Sequence, residues 1–354
     1  MEKRLNKARF YLKGLDAVLF TDRLNIAYLC GFVGEDASLL ITVRGAALFV
    51  DSRYTIQARD EAGGVEVYEV FTRWDTIFDY INEHGIKTLG IESNVMDVDT
   101  FIMLKNMFRG VEITPIGGQL KYLRIIKDSD EIAFLKNSAK VSEEAIQKVL
   151  EKGIIGRRER DVAFDIEWEM GRLGASSVAF EVIVASGPRS AMPHGVASDK
   201  VIAPNEAVVI DFGCIYKGYC SDQTITTLTG DAGDSFADVY NCVRDAQSRA
   251  VEGIKSGIAA GDVDAIARGF IKDHGFGEYF GHGLGHGVGM EVHEAPALHQ
   301  RSVDILDEGM VFTIEPGIYI PGKFGVRIED TFVITDNSCQ RITNLDKSII
   351  RKIN

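Results

Sequence analysis

At 354 residues the chain exceeds the ~250–300 residues at which a single hydrophobic core stops growing, so two domains are expected. Its 45% hydrophobic and 26% charged content is that of an ordinary globular protein, and no apolar run approaches the ~18 residues of a membrane span. The formal net charge of −13, spread without long acidic or basic blocks, argues against nucleic acid as a partner. The start, Glu2-Lys3-Arg4-Leu5-Asn6-Lys7, opens an amphipathic pattern and not a signal-peptide core. The five cysteines (Cys30, Cys214, Cys220, Cys242, Cys339) form no CxxC pair, which predicts reduced thiols and a cytoplasmic location.

Helical spacing runs from Arg4 to Lys13, and Ala17–Phe20 is a short apolar run of the kind that fills a buried strand. Ser38 to Val43 and Ala46 to Val50 predict a hairpin around Arg44-Gly45, and Val65 to Val70 alternates as a strand does. Helices are expected at Trp74 to His84 and Asp99 to Phe108, with strands at Thr88 to Ile91 and Val111 to Ile116. Pro115-Ile116-Gly117-Gly118 then punctuates the chain. Beyond it, Asp128-Ser129-Asp130-Glu131 caps a long helix, and a second helix runs from Glu159 to Leu173. Strands follow at Val182 to Ala185, Ala207 to Phe212 and Ser221 to Leu228. The same order recurs: helices at Ser235 to Ile254 and Asp262 to His274, then strands at Met310 to Tyr319 and Gly325 to Thr335. Two related halves are expected, each with two acidic residues in its strand pair.

Four segments carry chemistry. In the first, the apolar run Ala207-Val208-Val209-Ile210 ends in Asp211, turns through Lys217-Gly218 and returns to Asp222. A hairpin there sets the two carboxylates facing each other across neighbouring strands. The second is glycine-rich, Gly281-His282-Gly283-Leu284-Gly285-His286-Gly287, followed by His293; it has neither the Gly-Lys-Ser/Thr of a phosphate loop nor an HExxH helix. The third, Met310 to Tyr319, holds Glu315 in an apolar run before Pro316-Gly317. The fourth, Gly325-Val326-Arg327-Ile328-Glu329, holds Glu329, and strand alternation would point Arg327 and Glu329 to one face as an ion pair. Four carboxylates around one imidazole carry excess negative charge, which two divalent cations bridged by carboxylates and a water would balance. Hard oxygen donors favour Mn²⁺, with Co²⁺ or Zn²⁺ as alternatives. His84 and His274 read as helix C-terminal residues, and His299 as a rim or surface residue.

These segments together resemble the Xaa-Pro peptidases, the aminopeptidase P and prolidase group of the "pita-bread" metallopeptidases. The matches span most of residues 180 to 335; each motif alone is weak, but their order and spacing are specific. The resemblance implies an α+β fold of two domains. One is a small N-terminal α/β creatinase/prolidase-like domain, residues 1–122. The other is a C-terminal pita-bread catalytic domain with pseudo-twofold halves, residues 123–354. It implies metal ligands at Asp211, Asp222, His286, Glu315 and Glu329, with catalytic roles for Glu315 as general base and for the non-ligand His194, His282 and His293. Arg327 matches the arginine two positions before the last ligand and is expected to hold Glu329. The implied activity is removal of an N-terminal residue from short peptides with proline at the second position, through a metal-bridging hydroxide, by a homodimer. The alternative is a dipeptidase acting on Xaa-Pro alone. A prolidase would need a cation for the substrate carboxylate just after His293-Glu294-Ala295-Pro296, where this chain has Ala297, with Arg301 nearby. A methionine aminopeptidase, a creatinase-like enzyme without a metal pair and a metal-free peptide-binding module of the same fold are the further alternatives. The first lacks a domain like residues 1–120, and members of the other two lose ligands that are all present here.

Overall fold

The computed structural model describes residues 2–231, 233–335, 338–347 and 351–352. The chain divides into two compact units, Met1–Arg124 and Ile125–Asn354. No helix among the described residues is long and apolar enough to cross a membrane.

In the first unit a six-stranded sheet runs in the order Glu66–Glu69, Ala46–Val50, Ala37–Thr42, Ala17–Phe20, Thr88–Ile91, Glu112–Pro115. Ala17–Phe20 lies inside it, antiparallel to Ala37–Thr42 and parallel to Thr88–Ile91, and all four of its residues are buried, as its unbroken apolar run requires. Helices Arg73–Glu83 and Val98–Met107 cover the sheet through Ile77, Ile81 and Leu104. A helix at Arg23–Cys30, not foreseen from the sequence, has Asp22 as N-cap and Gly31 in the left-handed region (φ 89°) as its C-cap.

The second unit repeats one plan twice. Helices Ser129–Glu151 and Glu159–Arg172 pack on each other and, through Ile146, Val149, Val162 and Ile166, on a sheet in the order Ile183–Ser186, Ala207–Phe212, Gln223–Leu228, Arg351–Lys352. Helices Asp234–Gly253 and Ala260–Asp273 pack on each other beside a second sheet. Its strands run Glu294–Leu298, Gly285–Gly287, Val311–Ile314, Asp330–Thr335, Ser338–Arg341. This is the layout that the resemblance implies, an α/β N-terminal unit followed by a unit of two similar halves.

The strands carrying the acidic residues are shorter than the sequence suggests. Met310 to Tyr319 is two strands, Val311–Ile314 and Gly317–Ile320, and Gly325 to Thr335 is also two, Phe324–Arg327 and Asp330–Thr335. Pro316 has no N–H to continue a ladder. The Glu329 N–H leaves its own sheet and donates to Thr224 O of the other half (3.2 Å). In the first half, Cys214–Tyr216 and Tyr219–Cys220 likewise form a separate hairpin. Its central Lys217 and Gly218 both have positive φ (48° and 81°), as a type I′ turn requires. Each half thus interrupts its central strand pair with a small hairpin, and the acidic residues sit at the interruption.

The helix Ser129–Glu151 begins with a full capping box: Asp128 accepts from the backbone of Glu131, whose side chain accepts from Asp128 N–H. Asp128→Ala is expected to lower the stability of the second unit by about 1 kcal/mol, read as a reduced urea midpoint with an unchanged slope.

Candidate active site

Asp211, on the strand Ala207–Phe212, is registered with Thr224, two residues beyond Asp222. The two aspartates are therefore diagonal neighbours on one sheet face, and not directly opposed as a simple hairpin would set them. In the other half, Glu315 follows Val311–Ile314 and Glu329 precedes Asp330–Thr335, whose Asp330 pairs with Ile314. His286 lies on Gly285–Gly287, between Glu294–Leu298 and Val311–Ile314. Two glycines permit this crowding. A Cβ on Gly285 would lie 2.0 Å from Thr313 O, and one on Gly213 would lie 1.9 Å from Ser221 O.

The ligand-type atoms of Asp222, His286 and Glu329 lie within 4.8 Å of one another. His286 Nε2 is 3.5 Å from both Asp222 Oδ2 and Glu315 Oε1. His286 Nδ1 faces Gly287 O at 3.2 Å, which puts the ring proton on Nδ1 and turns the Nε2 lone pair toward the carboxylates. Burial, and then His293, lowers the His286 pKa to about 4, so the ring is neutral near pH 7. A lone pair aimed at two carboxylates calls for a cation, or a carboxyl proton, between them. Asp211 Oδ1 adds a second such sign: it is buried and has no hydrogen-bond partner among the described residues. Burial, and then Glu329, Asp211 and Glu315, pushes the Asp222 carboxyl well above its usual range. Burial and then Glu329 do the same to Glu315, while burial and then Asp211 push Glu329 up to about 7. Unpaired carboxylates this deep are costly, and divalent cations fit both the donor set and the charge.

All nine residues singled out from the sequence border one cavity of about 410 Å³. His194 reaches it from the loop that follows the 3₁₀ turn Gly187–Ala191. The His293 ring stands 4.3 Å from that of His286, centre to centre. His282 Nε2 lies 3.0 Å from Tyr319 Oη, and burial lowers its pKa to about 4. His84 and His274 close helices as C-cap residues, and His299 does not border the cavity.

Arg327 departs from expectation. Its Nη2 donates to Asp211 Oδ2 at 2.6 Å, not to Glu329, because the backbone turns at Ile328 and breaks the strand alternation that would align the pair. Its Nε donates to Thr224 Oγ1 (2.9 Å), and its Nη1 to Pro193 O and Tyr319 Oη (both 3.0 Å). Glu329 instead accepts from Thr224 Oγ1 at 2.7 Å.

Sequence reasoning missed the supports behind these groups. Gln247 Nε2, from helix Asp234–Gly253, shares its two N–H groups among Ile314 O (2.9 Å), Ile328 O (3.3 Å) and Asp330 Oδ2 (3.2 Å). It thereby ties together the residues that precede Glu315 and Glu329. Fully buried Asp330 also accepts from Lys347 Nζ and Thr343 Oγ1, both at 2.7 Å, and Lys347 donates to Glu329 O as well.

The chain matches the model of metallopeptidase family M24 over residues 133–336, and that of the creatinase/prolidase N-terminal domain over residues 4–126. It belongs to metallopeptidase family M24. A Xaa-Pro dipeptidase of Pyrococcus horikoshii is 41% identical over 337 residues, 95% of each chain. A Xaa-Pro dipeptidase from Bacillus anthracis superposes with a TM-score of 0.96 at 39% identity, over 99% of both chains. An X-Pro aminopeptidase from Thermotoga maritima superposes at 0.92, also at 39% identity, over 98% of this chain and 99% of its own. Membership in this M24 family makes the chain a metal-dependent peptidase and implies divalent ions, for which the carboxylate and histidine cluster is a candidate site.

The pKa of Glu329 fixes the sign of a pH effect. A carboxyl raised from 4.5 to about 7 binds more protons folded than unfolded, so the metal-free protein loses stability as pH rises through that window. The metal-free melting temperature is expected to fall from about pH 5 to about pH 7.5, and Mn²⁺ to raise it more at the higher pH. Glu329→Gln should flatten the dependence. A larger Mn²⁺ effect at the lower pH would contradict this account.

Proposed function

We propose that this peptidase cuts the bond before proline in short Xaa-Pro peptides, with two divalent cations held by Asp211, Asp222, His286, Glu315 and Glu329. The observation that carries the reading is the convergence of four buried or half-buried carboxylates on a neutral imidazole, with Asp211 Oδ1 left unpartnered. Such ions, when bound, lower the pKa of water and polarise a carbonyl. The chain supplies the rest. Glu315, open to the cavity beside His286, takes the proton of the attacking water and passes it to the departing proline nitrogen. His194 and His293 donate hydrogen bonds to the peptide oxygen as it gains charge. His282, neutral and braced by Tyr319, shapes the substrate pocket. Arg327 fixes Asp211.

Specificity for proline is supported by two things. Phe180, Ile183, Val196 and Val292 give the cavity an apolar wall suited to a pyrrolidine ring. The relatives named above are Xaa-Pro dipeptidases and an X-Pro aminopeptidase. Within that group, the cavity favours the aminopeptidase. Among its described lining residues Arg327 is the only arginine or lysine, and it is committed to Asp211; Arg301 is exposed and does not border the cavity. A dipeptide's terminal carboxylate therefore finds no free guanidinium or ammonium there. The dipeptidase reading keeps the support of the relatives that bear that name.

Manganese as the native ion, a cytoplasmic location and a homodimer belong to the same proposal. Hard oxygen donors support the first, the five free cysteines the second, and exposed Val33, Ile56 and Phe71 the third. Metal analysis, cell fractionation and sedimentation velocity read these in turn.

With Mn²⁺-loaded protein, Ala-Pro-Ala is expected to be cut at the Ala-Pro bond at least tenfold faster than Ala-Pro. The reverse ratio would make the chain a dipeptidase, and cleavage of neither would sink the proline reading. Asp222→Ala should abolish turnover while leaving the far-ultraviolet circular dichroism unchanged; retained activity would sink the two-metal assignment.

A further inference from the structure

Glu159 is wholly buried, yet it lies outside the cavity. It is the first residue of helix Glu159–Arg172, where the helix end favours a negative charge. Its two oxygens accept five hydrogen bonds. Oε1 takes Ser186 N–H and Ser186 Oγ, both at 2.8 Å. Oε2 takes Arg189 Nε (3.0 Å), Ser198 N–H (3.1 Å) and Ser198 Oγ (2.6 Å). Ser186 and Ser198 are the two ends of one loop, which carries Pro193, His194 and Val196 into the cavity. Arg189, held by the same carboxylate, donates through Nη2 to Val196 O at 2.6 Å and so braces the loop across its width.

The His194 ring is exposed, and no hydrogen bond among the described residues holds it. Its position is therefore set by the backbone that bears it. That backbone is fixed at both ends by one buried carboxylate, and near its tip by Pro193 O on Arg327. We propose that Glu159 is the positioning residue for His194: a single carboxylate closes the loop and sets the height at which the imidazole meets the substrate. The role rests on the peptidase reading above, but the clamp is a property of the loop alone. A buried charge engaged by five donors contributes most when all five stay in place, since each donor freed in the interior is left unsatisfied.

Glu159→Gln keeps the shape but turns an amide NH₂ toward donors, so one end of the loop is released. Hydrogen exchange read by mass spectrometry should then quicken at least tenfold for the amides between 187 and 197, while the sheet Ala207–Phe212 and Gln223–Leu228 stays protected. In the Mn²⁺-loaded enzyme, kcat on the preferred Ala-Pro substrate should fall about tenfold with little change in KM and in bound metal. On a His194→Ala background the same substitution should cost less than twofold. Losses that multiply in the double variant, or unchanged exchange of the loop, would overturn the proposal. Ser198→Ala, which removes one donor and leaves the carboxylate in place, carries the same test if Glu159→Gln fails to fold. A wild-type enzyme that cuts no Xaa-Pro peptide would count against the proline reading, and the exchange data would still decide the clamp.

Discussion

The second unit is organised around a repulsion. Asp211, Asp222, Glu315 and Glu329 are brought to one cavity floor, where burial and mutual proximity raise three of the four above their ordinary pKa range. An assembly of like charges in a poorly solvated site opposes folding unless positive charge enters with it. Arg327 supplies one such charge, and it is spent on Asp211. Lys347 supplies another, but to Asp330 and to the Glu329 carbonyl, not to the Glu329 carboxylate. Divalent cations held as proposed would relieve the remaining deficit, which would link ion binding to the stability of this unit. Function and folding would then draw on the same interaction.

Two halves of similar plan explain how so many carboxylates reach one place. In each half a strand leaves the sheet, forms a small hairpin and returns, and an acidic residue directly precedes the returning strand: Asp222 before Gln223–Leu228, Glu329 before Asp330–Thr335. The outgoing strands are not equivalent. Asp211 lies one position before the end of its strand and Glu315 one position after. The second half alone contributes the imidazole, His286, and also lends Arg327 to Asp211 in the first. The cavity floor therefore has two unlike ends. At one, Asp211 joins Arg327, Tyr319 and His282; at the other, Asp222 and Glu315 meet His286, with His293 beside it.

A charge closing an apolar run reads, taken alone, as a strand end facing water; the acidic residues were legible because that pattern recurs, in order and with a glycine- and histidine-rich segment between its two occurrences. Of the strand breaks, the turn at Pro316-Gly317 could be read, but the one at Glu329 could not: it depends on a hydrogen bond from Glu329 N–H to Thr224 O, residues far apart in sequence. The same breaks redirected Arg327, since a period of two holds only while the strand lasts. Gln247 left no trace at all: a polar residue on the inner edge of an amphipathic helix reads as the fringe of its solvent face, although it bonds the carbonyls at both breaks. Tyr319 read as one more apolar strand residue. In the first unit the helix Arg23–Cys30 is eight residues long and mostly buried, too short and too apolar for periodicity, although its caps Asp22 and Gly31 were in plain view.

The groups of the site differ in how firmly they are held, and the difference follows their chemistry. Carboxylates that gather at one point must be fixed by backbone, because a movable side chain would swing away from its like-charged neighbours. Their strands are accordingly cross-tied by Gln247, Thr224 and Asp330, and the glycines at 213 and 285 let the backbones approach closely enough to do it. His194 is under no such repulsion and meets only what enters the cavity, so a loop suffices to carry it. In the role proposed for His194 that loop cannot be slack, because a hydrogen bond to a developing negative charge is worth most when its donor is already in place. Glu159 meets this requirement from below with five hydrogen bonds, and leaves the ring itself free to face the cavity.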